Sequence, residues 1–98
     1  MSRAIQTAAK RLLYSTRCLK NFAALNRDGV LPDSEPAKIT VEKLQQCITG
    51  NFYTCTNEIL AGLGQMYVAD DRFRKNIDKH GEGTAAYASA CIQQYFQA

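Results

Sequence analysis

The residues in this sequence that could carry chemistry are four cysteines and a single histidine. Cys18, Cys47, Cys55 and Cys91 are separated by 29, 8 and 36 residues, and no two of them form a Cys-x-x-Cys pair. Zinc knuckles and thioredoxin-type sites need two thiols within one turn of chain, so this spacing argues against both. The sequence shows no secretory signal pattern, and disulfides are rare in the reducing cytosol. It therefore predicts a cytoplasmic protein with four free, half-buried thiols.

His80 stands in the run Lys79-His80-Gly81, where a glycine is expected to end a helix. A histidine at that place can complement the negative end of the helix dipole, so a surface cap is favoured over catalysis. No local feature pairs it with a nucleophile, and Asp70 and Asp71 are adjacent and therefore point in different directions. The sequence predicts no enzyme and no metal site, and it requires no cofactor.

Length and composition favour one compact domain, spanning residues 1–98, because 46% of the residues are apolar and 21% are charged. The charge is uneven: residues 1–27 hold six lysines and arginines and no acid, whereas the remainder holds six bases and nine acids. A basic, acid-free opening is typical of the solvated side of a helix, but also of a targeting peptide or a segment that contacts nucleic acid or a membrane surface. No apolar run approaches the roughly 18 residues of a membrane span.

The spacing of apolar residues predicts an all-α fold. Residues 4–27 repeat apolar side chains every three or four positions, which predicts a basic first helix that Gly29 ends. Residues 28–36 hold both prolines and are predicted to be a loop, followed by a helical core over 37–98. Thr56 is the predicted N-cap of the third helix and Asp70 that of the fourth. The five predicted helices span residues 4–27, 37–49, 56–69, 71–80 and 84–96, and no alternating run supports a strand.

Two glycines inside the third predicted helix, Gly62 and Gly64, leave little side chain on its surface. Each costs about 1 kcal/mol relative to alanine in a helix. Close approach of another helix would explain them, and so would close approach of a ligand, and the two explanations are compatible.

From Phe52 onward the sequence follows the pattern Tyr-x-Cys and then Leu-Gly-x-Met-Tyr-Val-x-Asp-x-Arg-Phe-x-x-Asn-Ile-Asp. The residues that meet this pattern and its continuation in the last predicted helix are Tyr53, Cys55, Leu63, Gly64, Met66, Tyr67, Val68, Asp70, Arg72, Phe73, Asn76, Ile77, Asp78, Gly83, Ala85, Ala86, Tyr87 and Ile92. The sequence thereby resembles the TipAS-type antibiotic-recognition domain, the effector domain fused to some MerR-family transcription regulators. The resemblance is strongest over residues 52–96.

The resemblance implies a globin-like bundle of about five helices without haem, which holds multi-ring peptide antibiotics or other bulky hydrophobic drugs in a cleft. A haem globin needs a proximal histidine within a helix, and His80 stands beside a glycine instead.

We expect the cleft between the 56–69 helix and the final helix. Ligand sites combine apolar side chains with a few polar groups, and buried phenols need a partner that a ligand can supply. The expected ligand-binding residues are Gly62, Leu63, Met66, Tyr67, Asp70, Phe73, Asn76, Ile77, Tyr87, Cys91 and Tyr95. Core packing or helix capping is the alternative role for each of them, and it is the favoured one for Phe73 and Ile77.

Two departures from the family shape the functional expectation. Full-length regulators carry a helix-turn-helix and a dimerisation helix ahead of this domain, so contact with DNA is expected only through a part absent from this chain. Whether the domain forms a homodimer is left undecided by the sequence. The family's type member captures its thiopeptide through a cysteine at the place of Gly62, so reversible binding is expected here. The expected function is therefore binding of antibiotic-like small molecules, by a free-standing sequestering protein or by the effector domain of a regulator. The alternative is a protein- or nucleic-acid-interaction module that works through the basic first helix.

Overall fold

A computed structural model describes residues 17–51 and 54–97 of the chain. These residues form a short 3-10 turn and five α-helices, and no strand occurs among them, which confirms the all-α prediction. The elements are the turn Arg17–Leu19, α1 (Lys20–Arg27), α2 (Glu35–Asn51), α3 (Asn57–Ala69), α4 (Asp71–Asp78) and α5 (Thr84–Gln97). The predicted bounds of α2 to α5 agree to within two residues at each end. Residues 4–16 of the predicted first helix lie outside the described residues, as do Phe52 and Tyr53. No described helix is long and apolar enough to cross a membrane.

The helix ends follow the predicted local chemistry. The Thr56 hydroxyl accepts a hydrogen bond from the Ile59 N–H at the start of α3, at 3.3 Å. Gly29 ends α1 with a φ of 75°, a left-handed conformation that glycine adopts without steric cost. The Val30 N–H then donates to the Leu25 carbonyl, and the Gly29 N–H donates to the Asn26 carbonyl, which is the Schellman arrangement.

The prediction of four free cysteines is wrong, because Cys18 and Cys47 form a disulfide. The 3-10 turn buries Cys18 and Leu19 against the bundle and lies on α2, which brings the Cα atoms of the two cysteines to 5.8 Å. That separation is within the usual disulfide range. A distance of 29 residues along the chain gave no sign of this contact. Cys55 and Cys91 are free thiols, and both are buried.

Helix α5 lies at the centre of the bundle and contacts α1, α2, α3 and α4. Its closest partner is α3, and the glycine at position 64 makes this approach possible: a Cβ atom there would lie 3.0 Å from Ile92 Cγ2. The largest fully buried side chains are Tyr67, Phe22, Leu19, Leu44, Ile48, Leu60, Ile77 and Ile92. The core therefore depends on all five helices and on the turn that precedes them.

Candidate functional site

Helix α3 has one face in the core and one apolar face toward solvent. Ile59, Gly62 and Met66 follow each other at helical spacing and lie on the second face, which we call the open face of α3. Ile59 is 39% exposed and Met66 is 38% exposed. Among residues 17–51 and 54–97, no atom lies within 4 Å of a Cβ built on Gly62. The open face is thus an apolar surface whose centre is bare backbone.

The two glycines of α3 have different surroundings. The bare surface at Gly64 is filled by Ile92 of α5, whose Cβ would lie 3.2 Å from a Cβ at that position. None of the described elements lies within 4 Å of a Cβ built on Gly62. The sequence suggested a cleft between α3 and α5, but at Gly64 these helices are in direct contact. The accessible surface of α3 is the one around Gly62.

The eleven predicted ligand-binding residues fall into two groups by accessibility. Gly62 and Met66 are exposed, and Asp70, Asn76 and Tyr95 are partly exposed. The remaining side chains belong to the hydrophobic core, and they are Leu63, Tyr67, Phe73, Ile77, Tyr87 and Cys91. Ile59 was not among the predicted site residues, although its spacing to Gly62 and Met66 would have placed it on their face. Which of these side chains contact a ligand stays a prediction.

Two tyrosines have hydrogen-bond partners within the protein. The buried Tyr87 hydroxyl donates to the Val30 carbonyl at 2.6 Å, and its ring contacts Phe22 edge-on. Burial raises the pKa of Tyr87, and nearby Cys91 adds to this increase. The Tyr95 hydroxyl donates to the Glu42 carboxylate at 3.4 Å. Neither phenol therefore needs a ligand to complete its hydrogen bonding. Tyr67, the third tyrosine of the set, is fully buried with its ring tilted against Phe73.

The polar residues of the motif position helices. Asp70 accepts a hydrogen bond from the Arg72 N–H at 2.9 Å and so caps α4, as predicted. This backbone hydrogen bond lowers the pKa of Asp70. Asp78 accepts from the Ala85 N–H in the first turn of α5, at 2.9 Å. The Asn76 amide donates to the Arg72 carbonyl one turn earlier. Two aspartates of the motif thus hold the starts of two consecutive helices.

Helix α2 fixes the start of α3 through two polar side chains. The Gln45 amide donates to the Cys55 carbonyl and to the Asn57 side-chain oxygen, each at 2.9 Å. The Cys55 N–H donates to the Thr49 hydroxyl at 3.1 Å. Sequence reasoning missed Gln45 and Thr49, because no local pattern distinguishes them from other polar residues on a helix. They set where the open face of α3 begins.

None of the four cysteines lies on α3. Burial raises the pKa of Cys91 to about 11 and raises the pKa of Cys55 as well, which disfavours both thiolates. Within residues 17–51 and 54–97, no three histidine, cysteine, aspartate or glutamate side chains are grouped so that they could hold a metal ion.

A second surface feature is a groove of about 290 Å³ along α1. Its lining consists of residues of α1 and of His80, which follows α4; the α1 residues are Lys20, Asn21, Ala23, Ala24 and Arg27. Cationic and polar side chains suit an anionic group better than an apolar one. The groove is the described part of the basic face that the sequence predicted for the first helix.

Comparison with known proteins identifies the family of this domain. Residues 4–95 match the model of the TipAS antibiotic-recognition domain. The chain is 44% identical over 73 residues to the HTH-type transcriptional activator TipA of Streptomyces coelicolor, and 36% identical over 76 residues to the HTH-type transcriptional activator mta of Bacillus subtilis. These matches cover 74% and 78% of this chain but only 29% of each relative, so the chain spans less than a third of their length.

A solved structure of TipAS from Streptomyces lividans, in complex with nosiheptide, has a similar fold, with a TM-score of 0.73 and 39% sequence identity. The similarity covers 82% of this chain and 56% of that one. It confirms the expected globin-like helical bundle. Because the family model matches nearly the whole sequence and a relative of known structure shares the fold, this chain belongs to the TipAS antibiotic-recognition domain family.

Proposed function

We propose that this domain reversibly binds bulky, largely apolar antibiotic-like molecules of the thiopeptide class on the open face of α3. The observation that carries the proposal is an apolar stripe with bare backbone at its centre. Ile59 and Met66 offer apolar surface on either side of Gly62, and no atom of the described part of the chain lies within 4 Å of the place where its Cβ would be. A flat multi-ring ligand can therefore approach the backbone at Gly62 while it buries both flanking side chains. The nosiheptide complex of the related TipAS supports this ligand class.

Reversibility is supported by the state of the four cysteines. Cys18 and Cys47 are joined to each other, while Cys55 and Cys91 are buried thiols with raised pKa values. A thiopeptide that carries a dehydroalanine needs an accessible thiolate to add across its double bond. With the disulfide intact, neither buried thiol meets that requirement.

Binding of this kind needs no reaction, so the domain acts as a receptor rather than an enzyme. The relatives are HTH-type transcriptional activators, and this chain covers less than a third of their length. We assign it the role of a drug-sensing effector domain in the cytoplasm, where transcription takes place, or of a sequestering protein that lowers the free drug concentration.

Two substitutions on opposite sides of α3 test the proposal. Met66→Lys places a charge on the open face, whereas Val68→Lys places the same charge at a similarly exposed position, 43% exposed, about half a turn away. Removing a methionine contact worth roughly 1.5–3 kcal/mol should weaken nosiheptide binding about ten- to hundredfold in Met66→Lys. Val68→Lys should bind like the wild type in isothermal titration calorimetry. Equal affinities for both variants would contradict the proposed site.

A second experiment separates reversible from covalent binding. Gly62→Cys places a thiol on the open face, and with a dehydroalanine-bearing thiopeptide it should form an adduct by addition of S–H across the double bond. The wild type, kept in its disulfide form, should bind without a change in covalent mass. Intact-protein mass spectrometry gives the answer, and an adduct on Cys55 or Cys91 of the wild type would refute reversible capture.

A further inference from the structure

The disulfide between Cys18 and Cys47 joins the turn Arg17–Leu19 to the second half of α2. The two cysteines differ in accessibility: Cys18 is 8% exposed, whereas Cys47 is only partly buried at the edge of the core. The Asn51 amide donates to the Cys47 carbonyl at 2.8 Å and lies 3.6 Å from Cys47 Sγ. One cysteine of the bond is therefore partly accessible to solvent, and its sulfur has a hydrogen-bond donor beside it.

The setting of the domain makes a permanent disulfide unexpected. The relatives that share its fold are transcriptional activators, and disulfides in cytoplasmic proteins are usually transient because small thiols keep cysteines reduced. The expectation of a transient disulfide rests on the proposed function, which places the domain in the cytoplasm. The accessibility of Cys47 does not rest on that location.

We propose that Cys18 and Cys47 form a reversible dithiol–disulfide pair that low-molecular-weight thiols and disulfides interconvert. In the oxidising direction the Cys47 thiolate attacks one sulfur of a small disulfide RSSR, which forms a mixed disulfide and releases RS⁻. The Cys18 thiolate then attacks Cys47 Sγ, forms the intramolecular bond and releases a second RS⁻. The two thiol protons pass to the released thiolates, so one RSSR becomes two RSH. Reduction by two RSH follows the same steps in reverse.

Cys47 is the sulfur that exchanges with the small molecule. It is the more accessible of the two, and the Asn51 amide can stabilise its thiolate by hydrogen bonding. Cys55 and Cys91 do not compete, because they are 5% and 1% exposed and have raised pKa values. The protein thus contains one reactive pair and two inert thiols.

The state of this pair controls how firmly the turn is held. The bond closes a loop that contains α1, residues 28–34 and most of α2. Its reduction returns conformational entropy to the unfolded chain and should increase the unfolding equilibrium constant roughly thirty- to several-hundredfold. It also removes the covalent link between α2 and the turn that follows residues 1–16 in the sequence.

The wild-type domain, equilibrated in glutathione buffers of increasing oxidised fraction, tests the proposal without any variant. After denaturation and alkylation, mass spectrometry should count four thiols in the most reducing buffer and two in the most oxidising one, with peptide mapping locating the bond at Cys18–Cys47. The oxidised form should also show the lower unfolding constant in urea. Two thiols in every buffer would mean a permanent disulfide, and four in every buffer would mean no disulfide. Either of these two results would overturn the proposal. A bond to Cys55 or Cys91, or equal stability of the two forms, would overturn it as well.

Two matched variants test the order of attack. Cys18→Ser leaves Cys47 without its partner, so with oxidised glutathione it should form a stable mixed disulfide on the native protein. Cys47→Ser leaves the buried Cys18 as the only cysteine of the pair, and this variant should form the mixed disulfide at least tenfold more slowly. Equal rates for both variants would rule out Cys47 as the exchanging sulfur.

Discussion

Gly62 and Gly64 lie two positions apart on α3 and face different surroundings. One faces solvent on an apolar surface, while the other is covered by Ile92. Both leave a helix surface without a side chain, yet only the first leaves it accessible. Gly64 therefore has a packing role, and the proposed ligand surface depends on Gly62.

Alanine at each glycine should change stability in opposite directions. Gly62→Ala adds a Cβ in open space and should raise the free energy of unfolding by up to about 1 kcal/mol, because glycine disfavours helix interiors. Gly64→Ala gains the same propensity but places a Cβ 3.0 Å from Ile92 Cγ2, and such overpacking costs roughly 1–3 kcal/mol. Urea denaturation should show Gly64→Ala to be the less stable variant. Equal stability would mean that Ile92 moves without cost.

Asp70 should make the stability of α4 dependent on pH. Its folded-state pKa is lowered, mainly by the Arg72 N–H, below the ordinary aspartate value of about 3.9. The carboxylate therefore contributes stability that is fully present above that ordinary value and is lost as the pH falls through the lower folded-state pKa.

Asp70→Ser separates titration from capping, because serine can still accept the Arg72 N–H but carries no charge that titrates in this range. Denaturant midpoints measured down the acid range should fall less steeply for this variant than for the wild type. Identical slopes would show that Asp70 contributes nothing to the acid sensitivity.

Tyr87 joins α5 to the loop at residues 28–34 by a hydrogen bond and to α1 by a ring contact. Tyr87 on α5 donates to Val30, and its ring contacts Phe22 on α1, so one side chain links three segments of the chain. The sequence favoured Tyr87 as a ligand contact because a buried phenol needs a partner. The partner of this phenol is the loop, which depends on how the helices pack and not on any local pattern.

Tyr87→Phe should lower the free energy of unfolding by about 1 kcal/mol, since it removes a short hydrogen bond and leaves the Val30 carbonyl without this donor. Tyr95→Phe is the matched control: its bond to Glu42 is longer, at 3.4 Å, and more exposed, so its loss should cost less. Thermal or urea denaturation measures both. A larger loss in Tyr95→Phe would contradict the structural role given to Tyr87.

The residues that the structure describes share one hydrophobic core, so the stability of the domain should respond measurably to anything that binds the folded state alone. A ligand that does so stabilises the domain by about 2.7 kcal/mol at a hundred times its Kd. This linkage makes thermal denaturation a direct assay of the proposed function.

The melting temperature should therefore rise with the logarithm of nosiheptide concentration above Kd and return to its original value after the ligand is dialysed away. Differential scanning fluorimetry of the wild type beside Met66→Lys would measure this. A shift that survives dialysis would indicate covalent capture, and no shift with any large apolar antibiotic would contradict the binding proposal.

What the sequence determined by itself was local. Apolar spacing and the Thr56 and Asp70 caps defined α2 to α5 to within two residues, and Gly29 marked the end of α1, since the groups that start and end a helix lie within a few positions of each other. The motif around Met66 and Tyr67 identified the family. The same sequence could not show which glycine faces solvent, because that depends on where α5 lies.

Features that join distant parts of the chain depend on how the helices pack. Cys18 and Cys47 are 29 residues apart, and Tyr87 and Val30 are 57 apart, so no periodicity or spacing could pair them. The packing of α3, α4 and α5 in the bundle likewise buried six of the predicted ligand-binding residues and left Gly62 and Met66 accessible. Helix formation depends on neighbours along the chain, whereas burial and pairing depend on how the helices pack in three dimensions.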